Sequence, residues 1–154
     1  MGGRRHVELD VLVSAPADRV FAALVDWESQ GEWMLGTSVR SDGAAHGVGG
    51  RLHAFTGVGR VGFTDPMVIT QWDPPRTVRV RHTGSVVRGD GVFEVRPAGP
   101  GSSRFIWRED LDLPLGALGR FGFALLRPAF VAGVARSLRT FARKVEAGQL
   151  PRSG

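Results

Sequence analysis

Val7, Leu9, Val11 and Val13 alternate with Glu8, Asp10 and Leu12 in the stretch HVELDVLVSAP. Alternation places one set of side chains on one face of an extended chain and the other set opposite, so this segment predicts a half-buried first strand. The period then changes. Pro16 suits the first turn of a helix, with Ser14 or Ala15 just outside it. Val20, Phe21, Leu24 and Val25 form one apolar stripe. The stretch DWESQGEWM predicts a second short helical segment, broken by Gly31 and anchored by Trp27 and Trp33.

Strand-like runs follow at about 33–40, 49–57, 61–72, 76–84, 86–97 and 102–113. The turn signals SDGAAHG, GVGRVG, DPP, TGS and RPAGPGSS separate them. With the first strand this makes a seven-stranded sheet. Connections this short favour an antiparallel meander and leave no room for crossover helices. The segment LPLGALGRFGFALLRP reads as a loop running into a helix. A firm helix is predicted from Pro128 to 146, because Phe130, Val134, Leu138, Phe141 and Val145 recur every three or four residues. Such a helix spans roughly 28 Å, enough to cross a curved sheet. Arg136, Arg139 and Arg143 share its other side, the solvated face of an amphipathic helix or a membrane-facing one. Gly148 is a plausible stop, and residues 148–154, like 1–5, read as flexible tails around one α+β domain at 6–147.

Composition narrows the function classes. The chain has 154 residues, 42% of them hydrophobic, enough for a real core. Its net charge is +5, but the acids are interspersed with the basic residues, so no nucleic-acid footprint is expected. Cysteine and tyrosine are absent, which excludes thiol nucleophiles, disulfides and one common general acid. The N-terminus lacks a signal-peptide pattern, and no run approaches ~18 apolar residues, so a cytoplasmic protein is expected. His6, His46, His53 and His82 show no ligand spacing, so neither a metal nor another cofactor is expected. GVGRVG joins two strands and lacks the Lys-Ser/Thr of a phosphate loop.

The order of elements, together with VSAPADRVFAALVDWESQGEW, WDPPRTVRVRHTG, RFIWREDLDLPLG and SLRTFARKVEAG, resembles the START-like, or helix-grip, superfamily. More narrowly it resembles the polyketide cyclase/dehydrase and lipid-transport (SRPBCC) group, over roughly residues 6–147. The resemblance implies a strongly bent antiparallel sheet gripping the last helix, with a cavity between them. It implies a small hydrophobic ligand such as a lipid or polyketide, carried, sensed, cyclised or dehydrated. It supplies no single catalytic motif, so the site has to be argued from residues.

In FIWREDLDLP, alternation puts Phe105, Trp107, Glu109 and Leu111 on one face. That face carries the aromatics and is assigned inward, so Glu109 is the inward acid. A carboxyl in an apolar cavity has its pKa raised unless paired, and then serves as a proton donor or acceptor. The alternatives are pairing with an arginine such as Arg120 or Arg127, or a place at the wet rim. Val78, Val80 and His82 share a face, making His82 a proton-transfer partner for Glu109 or a strand-end histidine bonded to backbone. Phe63, Asp65, Met67 and Ile69 share another. Pro66 there suggests an edge strand or bulge, leaving Asp65 either a cavity acid or an Asp-Pro turn residue. For Leu52 and Ala54 against His53 and Phe55, the inner face stays open.

Gly89 and Gly91 share a face with Phe93 and Val95, either bending the strand or leaving ligand space. Gly116, Gly119 and Gly122 read either as a lid at the cavity mouth or as a closely packed loop. Phe105, Trp107, Phe93, Val80, Met67, Ile69 and Asp65 are expected on the sheet side of the pocket, and Phe121, Leu125 and Phe130 on the helix side. The expected partners are a small hydrophobic molecule, at most transient membrane contact, and either no other protein or a second copy of the chain.

Overall fold

Residues 4–112 and 116–152 are described by the computed structural model. Strand β1 (Arg4–Val13) leads into helix α1 (Ala17–Leu24), capped by Pro16 in extended conformation, and then a 3-10 helix (Trp27–Glu32). Six strands follow: β2 (Thr37–Ser41), β3 (Arg51–Val58), β4 (Val61–Asp73), β5 (Thr77–Thr83), β6 (Arg88–Pro97) and β7 (Ser103–Asp112). Helix α2 (Gly116–Glu146) closes the chain.

All seven strands form one antiparallel sheet in the order β1-β7-β6-β5-β4-β3-β2. This is the expected meander, with β1 added to the edge of β7. The sheet is curled around α2 in a helix-grip arrangement of the α+β class. Alternation does what it predicted in β1, where Val7 and Val13 are buried and Glu8 and Leu12 are exposed. The apolar stripe of α1 is buried at Val20, Phe21 and Leu24, and Val25 caps the helix in the core. Trp27 is held in place by its indole N–H, which donates to the Ala45 carbonyl at 3.0 Å.

The core lies between the concave sheet face and the C-terminal half of α2. Val134, Leu138, Phe141 and Val145 are buried there, with the spacing that the sequence shows. Phe141 packs on Trp33 at 4.9 Å and on Phe105 at 5.3 Å between ring centroids. This aromatic cluster supports the sheet at β6 and β7.

Four expectations are corrected. Helix α2 starts at Gly116, not Pro128, and runs through the proline at the cost of one helical hydrogen bond. The glycines at 116, 119 and 122 therefore belong to a helix, not a loop. β2 begins at Thr37 because the 3-10 helix runs to Glu32 and Gly36 turns the chain with φ +71°. Pro66 lies in an interior strand: pairing with β5 begins one residue later, at Met67, and the register shift falls between Ile69 and Gln71. Lastly, residues 148–152 are not a free tail. Leu150 is buried, and the Arg152 guanidinium pairs with Glu32 at 2.6 Å.

Candidate functional site

Between the concave face of the sheet and α2 lies a cavity of about 360 Å³. Its walls are mostly apolar, and its ionisable groups come from three strands. β4 contributes Asp65 and Met67, β5 Val80 and His82, and β7 Trp107 and Glu109. Phe93 and Gly91 of β6 lie between them, and Phe130 and Val134 of α2 form the opposite wall. The volume suits a small organic molecule.

The register explains how these residues meet. Met67 pairs with His82 across β4 and β5, which sets Asp65 two residues along on the same face. His82 pairs with Gly89, while Gly91 pairs with both Val80 and Glu109. His82 and Glu109 thus stand on strands separated by β6, roughly 10 Å apart in backbone terms. They touch only because β6 presents glycine between them. A Cβ at Gly91 would lie 2.9 Å from Glu109 Oε1 and 3.0 Å from Oε2.

The result is a linear relay. His82 Nδ1 lies 2.6 Å from Asp65 Oδ2, and His82 Nε2 lies 3.1 Å from Glu109 Oε2. The Trp107 indole N–H donates to Glu109 Oε1 at 3.0 Å. The three acid–base side chains are close to nine-tenths buried, with exposures of 10%, 7% and 12%. Burial opposes a charged imidazole, but hydrogen bonds and charge from the two flanking carboxylates outweigh it and push the His82 pKa up to about 10. Burial also raises the Glu109 pKa above the ordinary carboxylate value, against the lowering pull of His82 and Trp107.

The relay therefore retains one proton beyond that of the neutral ring well above neutrality. This proton sits either on the imidazolium, with a carboxylate accepting two N–H bonds, or on the glutamic acid. Asp65 holds the far side of the ring and so orients it. Chemically, this arrangement can accept a hydrogen bond from a ligand hydroxyl, donate one to a carbonyl, or pass a proton in either direction.

The structure brings together Glu109, His82 and Asp65, and adds Trp107, expected only as a wall, as a donor. Of the two arginines considered for Glu109, Arg127 is exposed and makes no ion pair with it among the described residues, and the Arg120 side chain lies outside the described residues. Trp107, Phe93, Val80, Met67 and Phe130 line the cavity as expected. Phe105 and Ile69 do not, because both are fully buried in the core behind the wall. Phe121 and Leu125 do not either; they lie on the N-terminal turns of α2, each 66% exposed. The open question on β3 is resolved, with Leu52, Ala54 and Thr56 facing the cavity and His53 facing outward toward Asp42.

Sequence reasoning missed Met34, Leu35, Gly133 and Ser137. The last two share the helical face of Phe130 and Val134, a signal the spacing carried. Leu35 sits in a loop, which periodicity does not reach. Both ring nitrogens of His82 are engaged by carboxylates, and among the described residues no group of three His, Asp or Glu side chains is arranged to hold a metal ion.

The profile of the family described as polyketide cyclase / dehydrase and lipid transport matches residues 4–146. No curated protein matches the chain in sequence. Among solved structures, the Zhui aromatase/cyclase from Streptomyces sp. R1128 is similar at 18% identity with a TM-score of 0.78, covering 99% of each chain. A protein from Thermus thermophilus has the same identity and TM-score, covering 94% of this chain and 99% of its own. A START superfamily protein from Mycobacterium smegmatis is 14% identical with a TM-score of 0.65, covering 95% of this chain and 97% of its own. At these identities the likeness is one of fold.

Proposed function

Since the chain belongs to the polyketide cyclase / dehydrase and lipid transport family, we propose that its cavity binds a small, largely hydrophobic molecule, as a carrier or a sensor. The observation that carries this reading is a largely apolar cavity of about 360 Å³ whose acid–base groups are gathered at one place. Apolar walls provide affinity, and a few convergent polar groups fix orientation. A lipid or polyketide-like ligand with one hydroxyl or carbonyl would place that group on Glu109 and His82.

Native mass spectrometry tests this, with the protein mixed with a lipid and polyketide extract. The expected result is a bound species released unchanged. A hydrogen bond to a charged group contributes about 1.5–3 kcal/mol. Glu109→Gln is therefore expected to weaken a hydroxyl-bearing ligand by roughly tenfold or more, and to leave its deoxy analogue unaffected. Equal affinity of both ligands for both proteins would overturn the reading, as would failure of every apolar compound to bind.

The relay itself favours a second reading, cofactor-independent cyclisation or dehydration of a polyketide-like substrate. Glu109 as carboxylate would take the proton α to a carbonyl while His82 keeps its own. Glu109 would then return that proton to the β-hydroxyl, the C–O bond would break, and water would leave. The relay ends as it began, with no net proton gained or lost. A species released lighter by one water, with turnover abolished in Glu109→Gln, would select this reading over the carrier.

A further inference from the structure

The large hydrophobic side chains that remain exposed are not scattered. Leu35, Phe63 and Phe130 both line the cavity and reach the surface, so they mark its mouth. Beyond Phe63, the β3–β4 hairpin ends in Val58 and Val61, which are 86% and 81% exposed. Beyond Phe130, the N-terminal turns of α2 present Phe121, Leu125 and Leu126, each about two-thirds exposed. Every residue from 124 to 130 is exposed, whereas the C-terminal half of α2 fills the core. An apolar hairpin tip and an apolar helix face thus flank one opening. A soluble domain seldom leaves such a surface bare without a partner for it.

Charge identifies the partner. There is no Asp or Glu from residue 43 to 64, nor from 113 to 145. The basic residues in these stretches include Arg60 at the hairpin tip and Arg127 on α2, both exposed. Apolar side chains interleaved with arginines, with acids absent, complement an anionic lipid interface: the apolar groups enter the acyl boundary and the guanidiniums meet headgroup phosphates.

We propose that the rim of the cavity, formed by the β3–β4 tip and the N-terminal turns of α2, docks on an anionic bilayer surface. The cavity mouth is then held against the lipid, so an apolar ligand passes between membrane and cavity without crossing water. The Arg136/Arg139/Arg143 face, considered above for this role, lies on the half of α2 that covers the core. The docking concerns the outer rim and stands independently of which ligand occupies the cavity.

Co-sedimentation of the full chain with vesicles of phosphatidylcholine alone, or of phosphatidylcholine with one-third phosphatidylglycerol, tests the proposal. The expected result is binding to the anionic vesicles, at least tenfold weaker with phosphatidylcholine alone and weakened by 0.5 M NaCl. Val58→Asp/Val61→Asp and Leu125→Asp/Leu126→Asp should each lower binding at least tenfold. Leu12→Asp, exposed on β1, should not. All these positions are solvent-exposed, so circular dichroism should show folded variants. The proposal is overturned if the wild type stays in the supernatant with every vesicle, or if the rim variants sediment like the wild type. It is equally overturned if the wild type ignores vesicles but forms a dimer, by sedimentation velocity, that the same variants lose. Ligand loading measured on the rim variants keeps a failure of docking distinct from a failure of ligand binding.

Discussion

Raising the pH from 7 to 10 should destabilise this protein chiefly through one group. In the folded chain His82 titrates at about 10, against 6.5 ordinarily. A histidine whose pKa is raised on folding adds stability that is fully present below about 6.5 and is lost as pH rises through the folded value. Between those limits the folded state holds one proton more than the unfolded state, so stability falls by roughly 1.4 kcal/mol per pH unit. Over the whole window the loss is on the order of 5 kcal/mol, comparable to the stability of many single domains. Burial also raises the Glu109 pKa, which acts in the same direction, since deprotonating the relay leaves two carboxylates flanking a neutral ring.

The composition makes the experiment clean. Cysteine and tyrosine are absent, Lys144 is the only lysine, and the arginines stay charged throughout. His6 also has a raised pKa, chiefly through Asp110, but its side chain is 54% exposed, so solvent screens its effect on stability. Urea unfolding followed by the fluorescence of the four tryptophans, at pH 7, 8, 9 and 10, gives the slope directly. Asp65→Asn/Glu109→Gln removes both carboxylates from the ring and should flatten that slope. A wild-type stability as flat with pH as the variant's would refute the claim that the folded relay holds the proton.

Two glycines on β6 should respond differently to an added methyl group. Gly89 has φ +117°, and a Cβ there would lie 1.9 Å from the Asp110 carbonyl oxygen, so Gly89→Ala should cost several kcal/mol in urea unfolding. Gly91→Ala meets the carboxylate end of the Glu109 side chain and pushes it from His82; it should shift the His82 imidazole resonances in NMR, lower the His82 pKa, and cost about 1.4 kcal/mol of stability at pH 7 for each unit by which that pKa falls. Phe141→Ala removes a fully buried ring from the Trp33–Phe105 cluster and should destabilise by about 3–5 kcal/mol, with unchanged β-sheet content by circular dichroism in what remains folded.

Alternation made the individual acid–base residues legible, and pairing across strands hid their relationship. Phe105, Trp107 and Glu109 share a face because they are two apart, and the same holds for Val80 and His82. That His82 meets Glu109 depends on β6 lying between them and on Gly91 having no side chain, and local sequence reports neither. Phe105 illustrates a second limit. It faces inward as expected, but inward positions divide between wall and core according to what α2 covers. Leu52 and His53 illustrate a third, since both faces of β3 carry apolar groups and only packing selects between them. Pro128 misled because a proline suits a helix start, whereas here the apolar turns before it are themselves helical.

The relay also bears on why the cavity is built as it is. Three buried ionisable groups lose hydration on folding, and their mutual attraction seldom does more than offset that loss. Well-packed apolar side chains of similar size are often equally or more stabilising. The unpartnered Asp65 Oδ1, buried with no hydrogen bond, adds to the cost. Stability alone therefore gives no reason for Asp65, His82 and Glu109 to be there, and their place on a cavity wall points to a ligand. An apolar replacement, Asp65→Leu/His82→Met/Glu109→Met, should accordingly be at least as stable as the wild type at pH 9, where the relay has lost most of its pH-dependent stabilisation. It should still bind a purely apolar probe in the cavity and lose roughly tenfold or more in affinity for the hydroxyl-bearing analogue. Thermal unfolding at pH 9 and fluorescence-displacement titrations with the paired probes measure both effects. A triple variant that is several kcal/mol less stable, yet as selective as the wild type, would make the relay a structural brace and remove it from the binding site.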